Sequence, residues 1–333
     1  MTVLELIEAG AHQLDAAAVA FGHGTRNAFD EAAWLVLWQL GLPLDSALDG
    51  ADSIANQPVT PAQQALVEML LAERIKSRKP AAYLTREAWL QGIAFYVDER
   101  AIVPRSLIAE LLTGGAIDPW LSDATHAVLD LCTGNGSLAV LAALAYPDVR
   151  IDACDISADA LAVAHINVDK HSLHDRIALF ESDGLAGVHG PYDLILCNPP
   201  YVNAHSMAAL PPEYRAEPAL ALAGGSDGMD FIRGLLKDAP QHMSEHAVLL
   251  LEIGNEREHF EAAFPALEAI WLETSAGEDQ VLLLTREALM MGGIVIAGAD
   301  PQSMSSDLPR WRRINLVTQP TATLLESGPV RHR

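Results

Sequence analysis

Apolar residues change their spacing along this chain, and the changes mark its elements. Over residues 2–20, Val3, Leu4, Ile7, Ala11 and Leu14 recur at helical spacing. Asn27 is a suitable N-cap for a second helix running to Leu40, with Asp30 and Glu31 in its first turn. Gly41 and Pro43 end it. Thr60-Pro61 opens a third helix, which closes with Lys76, Arg78 and Lys79 ahead of Pro80. From Trp89 to Val97 the residues turn aromatic and β-branched around Gly92, which predicts a hairpin. Leu107 to Leu112 reads as a short apolar helix.

Beyond Gly114-Gly115, short apolar runs alternate with helical stretches. Strands are expected at Val128–Cys132, Ile151–Cys154, Ile177–Phe180, Leu194–Cys197, Val248–Glu252, near Trp271, and at Val281–Leu284. Among the helices between them, Ser157–Val168 carries Ser157 as its cap. This alternation predicts an α/β fold, a doubly wound, mostly parallel, seven-stranded Rossmann-like sheet with a small N-terminal helical domain. The expected divisions are a helical domain at 1–85, a hairpin connector at 86–103, the α/β domain at 104–288 and a poorly ordered tail at 289–333. Arg310, Arg312 and Arg313 fall in that tail without periodicity.

Charge narrows the partners. The 333 residues hold 44 acids against 21 bases, a formal net charge of -23. A field of that sign repels phosphate backbones and favours a basic partner. No apolar run approaches a membrane span, and residues 1–20 lack a basic start and a cleavage site, so a cytoplasmic protein is expected. Cys132, Cys154 and Cys197 are too few and scattered for a disulfide framework or zinc site, and each falls in an expected strand as an apolar packer. No metal is expected.

Candidate chemistry centres on Asn198-Pro199-Pro200-Tyr201, directly after the run Leu194-Ile195-Leu196-Cys197. Two prolines forbid both ladder pairing and a helix start, so the backbone leaves the sheet at Asn198. The corner offers an amide side chain, carbonyl acceptors and an aromatic ring, which together can take both hydrogens of a planar –NH2 group. A second motif, Gly134-Asn135-Gly136-Ser137-Leu138-Ala139, follows the first sheet strand, and Asp155 ends the next strand nineteen residues after Gly136. That pattern suits a dinucleotide or S-adenosylmethionine. A pyrophosphate on the helix N-terminus would be opposed by Asp130. The sulfonium and ammonium groups of S-adenosylmethionine would instead be stabilised by Asp130, with Asp155 accepting from ribose hydroxyls and Asp183 from the adenine amino group. Asp183-Gly184 also reads as an ordinary turn.

Asp130-Leu131-Cys132-Thr133-Gly134-Asn135-Gly136, Asp155-Ile156-Ser157 and Asn198-Pro199-Pro200-Tyr201-Val202 together resemble class I methyltransferases that modify glutamine side-chain amides in proteins. One branch of that family acts on peptide-chain release factors and usually reads Pro-Arg-Pro-Glu-Thr-Glu before the catalytic domain. Val103-Pro104-Arg105-Ser106-Leu107-Ile108-Ala109-Glu110 looks instead like the ribosomal-protein branch, called PrmB, as do Phe21-Gly22-His23-Gly24-Thr25 and Phe95-Tyr96-Val97-Asp98-Glu99-Arg100. The resemblance covers residues 20 to 288. It implies a methyltransferase sheet, S-adenosylmethionine as donor and a basic large-subunit ribosomal protein as substrate. It also implies donor contacts from Asp130, Cys132, Thr133, Gly134, Gly136, Asp155, Ile156, Asp183 and Asn198. Leu107 stands where the branch commonly has proline, and Asn135 where it has serine, tolerable if Asn135 points to solvent.

In that chemistry Asn198 Oδ1 and the Pro199 carbonyl would each accept an amide hydrogen, and Tyr201 would pack on the amide plane beside Pro200. The long stretch from Val202 to Gly228, with Glu213, Arg215 and Glu217, is a candidate for meeting a basic substrate together with the N-terminal helices. His23 between two glycines reads as a turn residue. Rival readings are a nucleic-acid amino methyltransferase, which the charge and 6% aromatic content oppose, a binding protein without turnover, and a dehydrogenase.

Overall fold

The computed structural model describes residues 1–50 and 52–291. These form two compact units, one of residues 1–21, 25–50 and 52–77, the other of residues 22–24 and 78–291.

Three helices make the first unit: α1 (Val3–Ala16), α2 (Ala28–Leu40) and α3 (Pro61–Ser77). Thr2 and Glu5 form a reciprocal capping box on α1, and Asn27 Oδ1 accepts from Asp30 N at 2.9 Å at the start of α2. Leu6, Ile7, Leu14, Leu35, Val36, Val67 and Leu71 are buried as the helical spacing requires. Two charges lie among them. Arg74 Nε donates to Glu31 Oε1 at 2.7 Å and Arg74 Nη2 to the Ala20 carbonyl at 3.2 Å, while Glu31 Oε2 accepts from Thr25 Oγ1 at 3.0 Å. Glu31 is therefore a buried partner and not merely a first-turn helix charge.

The second unit begins with α4 (Ala81–Thr85) and a hairpin of β1 (Glu87–Leu90) and β2 (Ile93–Tyr96), followed by α5 (Ile108–Gly114). Its sheet contains β3 (Ala127–Leu131), β4 (Arg150–Asp155), β5 (Ile177–Glu181), β6 (Tyr192–Cys197), β7 (Met243–Glu252), β8 (Ile270–Thr274) and β9 (Gly277–Thr285). Strand order is β5-β4-β3-β6-β7-β9-β8; six strands run in one direction and β9 alone of the seven is antiparallel, to both β7 and β8. The helices are α6 (Ser137–Ala145), α7 (Ala158–Lys170), α8 (Ala204–Ala209), α9 (Pro212–Arg215), α10 (Asp230–Asp238), α11 (Arg257–Ala263) and α12 (Arg286–Met291). Helix α12 carries three residues of the segment expected to be disordered; the rest of that tail, with Arg310, Arg312 and Arg313, lies outside the described residues.

Both sheet faces are buried, so the central strands are apolar throughout. Leu194 and Leu196 of β6 face one core with Val248 and Leu250, while Ile195 and Cys197 face the other with Leu249 and Leu251. Cys154 and Cys197 sit in strands as expected, but Cys132 does not. It follows β3 in a left-handed conformation, φ +60°. A buried amide ties the hairpin to this sheet: Asn167 on α7 accepts from Tyr96 N at 2.7 Å and donates to Tyr96 O at 2.9 Å.

After β5 the chain crosses back to β6 on the other side of β3. Outgoing connections of β3 and β6 thus diverge, opening a crevice at the C-terminal ends of the strands.

Removing the carboxylate of Glu31 takes a buried counter-charge from the Arg74 guanidinium in the first unit's core. Glu31→Ala is expected to cost about 3–5 kcal/mol of that unit's stability, read as a lowered midpoint in urea denaturation.

Candidate active site

The crevice is built by the ends of four neighbouring strands. Asp130 is the penultimate residue of β3, Asp155 ends β4, Asp183 lies just past β5, and Asn198 follows β6. Leu131 pairs with both Cys154 and Cys197, so these ends are level.

Between β3 and α6 the chain turns through left-handed conformations at Cys132, Gly134 and Gly136. A Cβ at Gly136 would lie 3.1 Å from Ala164 Cβ and 3.3 Å from its Cα, so α6 starts where only glycine lets it meet α7. Asn135 is buried here. Its Oδ1 accepts from Ser137 N at 3.2 Å, so the solvent-facing orientation under which its replacement of serine was tolerable is not met.

Asp130 is fully buried. Its Oδ2 accepts from Thr133 Oγ1 at 2.5 Å and Ala139 N at 3.0 Å, while Oδ1 has no hydrogen-bond partner. Burial pushes the carboxyl up to about 7, against the lowering pull of those two donors. Leaving such an oxygen unpaired costs about 1–3 kcal/mol, a penalty that a cationic ligand would offset. Asp155 Oδ2 accepts from Gly134 N and Oδ1 from Ser157 N, both at 2.9 Å. Burial raises its carboxyl as well, opposed by these backbone donors.

A cavity of about 220 Å³ lies at this edge. Cys132, Gly134, Asp155, Ile156, Asp183, Asn198 and Pro200 line it, and Ile156 is half exposed there. Asp130, Thr133, Gly136, Pro199 and Tyr201 are not among the residues that line it. Reasoning from the sequence missed Arg100, Ala101 and Ile102, which enter from the segment after the hairpin, and Pro218, Leu220, Ala221 and Phe231 from beyond β6. Arg100 is fixed by Asp98 through two hydrogen bonds at 2.8 and 2.7 Å. Its position after Phe95-Tyr96-Val97 is the only sequence signal that could have found it. A larger open depression on the first unit, about 510 Å³, has no counterpart to this convergence of strand ends.

The proline corner is held from behind. Tyr201 donates its hydroxyl to Glu252 Oε1 at 3.4 Å, and Glu252 Oε2 accepts from Ser106 Oγ at 2.5 Å and Leu107 N at 2.9 Å. Burial, then the Glu252 charge, raises the Tyr201 phenol far above its ordinary range, so it stays protonated. A Cβ at Gly254 would lie 2.6 Å from the Tyr201 ring, and one at Gly224 2.7 Å from its backbone. Val202 N donates to Leu222 O at 2.8 Å, Gly224 N to Val202 O at 2.9 Å, and Asn203 Nδ2 to Glu256 Oε1 at 2.7 Å.

Charges beyond the corner differ from expectation. Glu213 is buried against Arg78 at 3.2 Å, and Glu217 is buried against Arg105 at 2.6 Å. Neither is a solvated charge awaiting a substrate; Arg215 alone of the three is exposed. His23, read as a turn residue, is 1% exposed.

A glycine turn between β3 and α6, acids closing β3 and β4, and an amide corner closing β6 define a class I S-adenosylmethionine-dependent methyltransferase. Residues 117–210 match the family model described as "Methyltransferase small domain". The chain is 52% identical over 291 residues to the ribosomal protein uL3 glutamine methyltransferase of Bordetella pertussis, covering 86% of this chain and 96% of that one. To the protein of the same name from Burkholderia pseudomallei it is 50% identical over 293 residues, covering 85% and 94%. A methyltransferase structure from Pyrococcus furiosus has 17% identity and a TM-score of 0.44, over 59% of this chain and 89% of that one. The chain belongs to the family of ribosomal protein uL3 glutamine methyltransferases, protein-modifying enzymes that draw their methyl group from S-adenosylmethionine.

Asp130 gives the free enzyme a pH signature. Between 3.8 and about 7 the unfolded carboxyl is ionised while the native one keeps its proton, so this group's contribution lowers stability as pH rises across that window. Thermal melts should show that loss, and Asp130→Asn should flatten it. Binding of the cationic donor, titrated calorimetrically, should tighten as pH rises through about 7 and lose that dependence in the same variant.

Proposed function

We propose that this enzyme methylates the side-chain amide nitrogen of a glutamine in ribosomal protein uL3. The observation that carries this reading is that Asn198 and Pro200 share one cavity with Asp155, so an amide-holding corner and a donor-holding edge meet. The names of the relatives support the same acceptor.

Bound S-adenosylmethionine supplies an electrophilic methyl group on a positively charged sulfur. Asp130 Oδ1, buried and unpaired, suits an ammonium or sulfonium charge, and Asp155 keeps lone pairs for ribose hydroxyls beyond its two backbone donors. Thr133 and Gly136 act indirectly, by orienting Asp130 and placing α6. Cys132, Gly134 and Ile156 form walls, and Asp183 is an exposed acceptor at the rim for an adenine amino group.

An amide nitrogen is a weak nucleophile because its lone pair is delocalised, so alignment and polarisation matter more than collection. Asn198 Oδ1 and the Pro199 carbonyl each accept one amide hydrogen, favouring the positive charge that develops on nitrogen. The alkylated nitrogen is strongly acidic and gives its proton to solvent afterwards. Tyr201 packs beside the amide from the inner side of the corner, its ring set by Glu252.

A basic ribosomal protein suits the net charge of -23, and the same charge disfavours direct nucleic-acid binding. The helical unit and the Val202–Gly228 segment serve acceptor recognition in this reading. Among the described residues no helix is long and apolar enough to cross a membrane, and a ribosomal acceptor points to work in the cytoplasm.

Asn198→Ala should lower methyl transfer by about 10²–10³-fold while leaving donor affinity within about threefold, since Asp130 and Asp155 are untouched. Purified uL3, release factors and RNA are incubated with labelled donor and the label is placed by mass spectrometry. Label on a uL3 glutamine is expected; label on release factor or RNA, or full activity in the variant, overturns the reading.

A further inference from the structure

The Gly22–Gly24 loop falls in the catalytic unit, not the helical one. Gly22 takes φ +125°, and a Cβ there would lie 2.1 Å from the Tyr214 hydroxyl. The next side chain, His23, packs against Tyr214 with ring centroids 4.2 Å apart and the rings tilted by 50°. Its Nε2 lies 3.3 Å from Glu217 Oε2. Hydrogen-bond alignment there is poor, so the contact is chiefly electrostatic, and Nδ1 has no hydrogen-bond partner.

Glu217 does not need His23 for charge balance. Arg105 already grips it with Nη1 on Oε1 at 2.6 Å and Nη2 on Oε2 at 2.8 Å, and Val103 N donates to Oε1 at 2.9 Å. Burial alone would raise this carboxyl, yet Arg105, aided by His23, holds it down at about 2. The Arg105 guanidinium also lies over the Tyr214 ring, 5.6 Å from its centroid. What His23 adds is position. It touches both Tyr214 and Glu217, and the residues that follow, Pro218, Leu220 and Ala221, are wall of the donor cavity. Leu220 is 58% exposed, so this part of the wall faces solvent as well as the cavity.

We propose that His23 is a positioning residue for the methyl-donor site, seating through Tyr214 and Glu217 the segment that closes the cavity with Pro218, Leu220 and Ala221. The inference rests on the methyltransferase reading and adds to it a part played by a loop far from the strand ends in sequence. Because the Arg105–Glu217 fork survives without the imidazole, loss of His23 loosens the wall without stranding a buried charge.

The full-length protein and its His23→Ala, His23→Gln, Glu217→Gln and His23→Ala/Glu217→Gln variants are titrated calorimetrically with S-adenosylmethionine. Donor Kd should rise about 5- to 20-fold in His23→Ala, a size typical of coupling between touching side chains. His23→Gln, able to donate to Glu217, should recover part of it, and the double variant should bind no more weakly than Glu217→Gln alone. In turnover, donor KM should rise while kcat at saturating donor stays within about threefold, a split expected when ground-state and transition-state binding are lost together. An unchanged Kd in a cooperatively melting His23→Ala protein overturns the proposal, as do strictly additive losses. Should His23→Ala fail to fold, His23→Leu, which fills the space but cannot donate to Glu217, is judged by the same Kd criterion. Donor titration needs no acceptor, so failure of the wild type to bind donor sinks the methyltransferase reading, whereas binding that ignores His23 sinks only this one.

Discussion

The pairing of β3 with β6, and its abrupt end, is the constraint on which the site depends. Leu131 and Cys197 are the last partners in that ladder. Past them Pro199 and Pro200 have no N–H to offer, while Cys132 turns left-handed, so neither strand can continue. The two chains separate at the point where strand order reverses. A crevice there is a topological consequence, and the residues at its mouth are those that happen to end the strands. Moving the prolines by one residue would turn Asn198 to the opposite face of the sheet, because side chains alternate along a strand.

Three buried carboxylates surround this crevice, each placed in a different electrical situation. Glu217 is fully paired by Arg105 and remains ionised, so it acts as a fixed strut. Glu252 has only neutral donors, Ser106, Leu107 and Tyr201, and burial raises its carboxyl. It serves as a hinge pin between the segment before α5 and the proline corner. Asp130 has one oxygen satisfied and one free. An incompletely satisfied acid in a core is a cost that natural structures keep chiefly where a ligand removes it. The fully partnered acids are thus separated from the half-satisfied one by their partners, since all three are buried.

The strand assignments show how far a pattern carries. β3 and β6 were legible because runs of four or five apolar residues bounded by turn formers leave few alternatives. α2 and α7 were legible because Asn27 and Ser157 cap them by a local mechanism. β7 and β9 run longer than the apolar runs suggested, since their polar ends are held by neighbouring strands. Asp130 and Asp155 were readable as candidates for the same local reason: they lie at the ends of strands in a parallel sheet. Arg100, Pro218, Leu220 and Phe231 were not readable, being brought to the cavity by loops whose path no periodicity records.

By itself the sequence determined the order of strands and helices, the sites at which strands end, and the pairing of an amide corner with a glycine turn. Those are consequences of short-range sterics and of side-chain period, which act within a few residues. Only the tertiary structure decided which charges are buried partners and which are free. Glu31, Glu213, Glu217 and His23 all looked like surface or turn residues, and all are interior. Their partners are Arg74, Arg78, Arg105 and Tyr214, distant in sequence and met only when the chain folds. A charge's role depends on the dielectric and the counter-charge around it, and both are properties of the packed molecule, not of the chain.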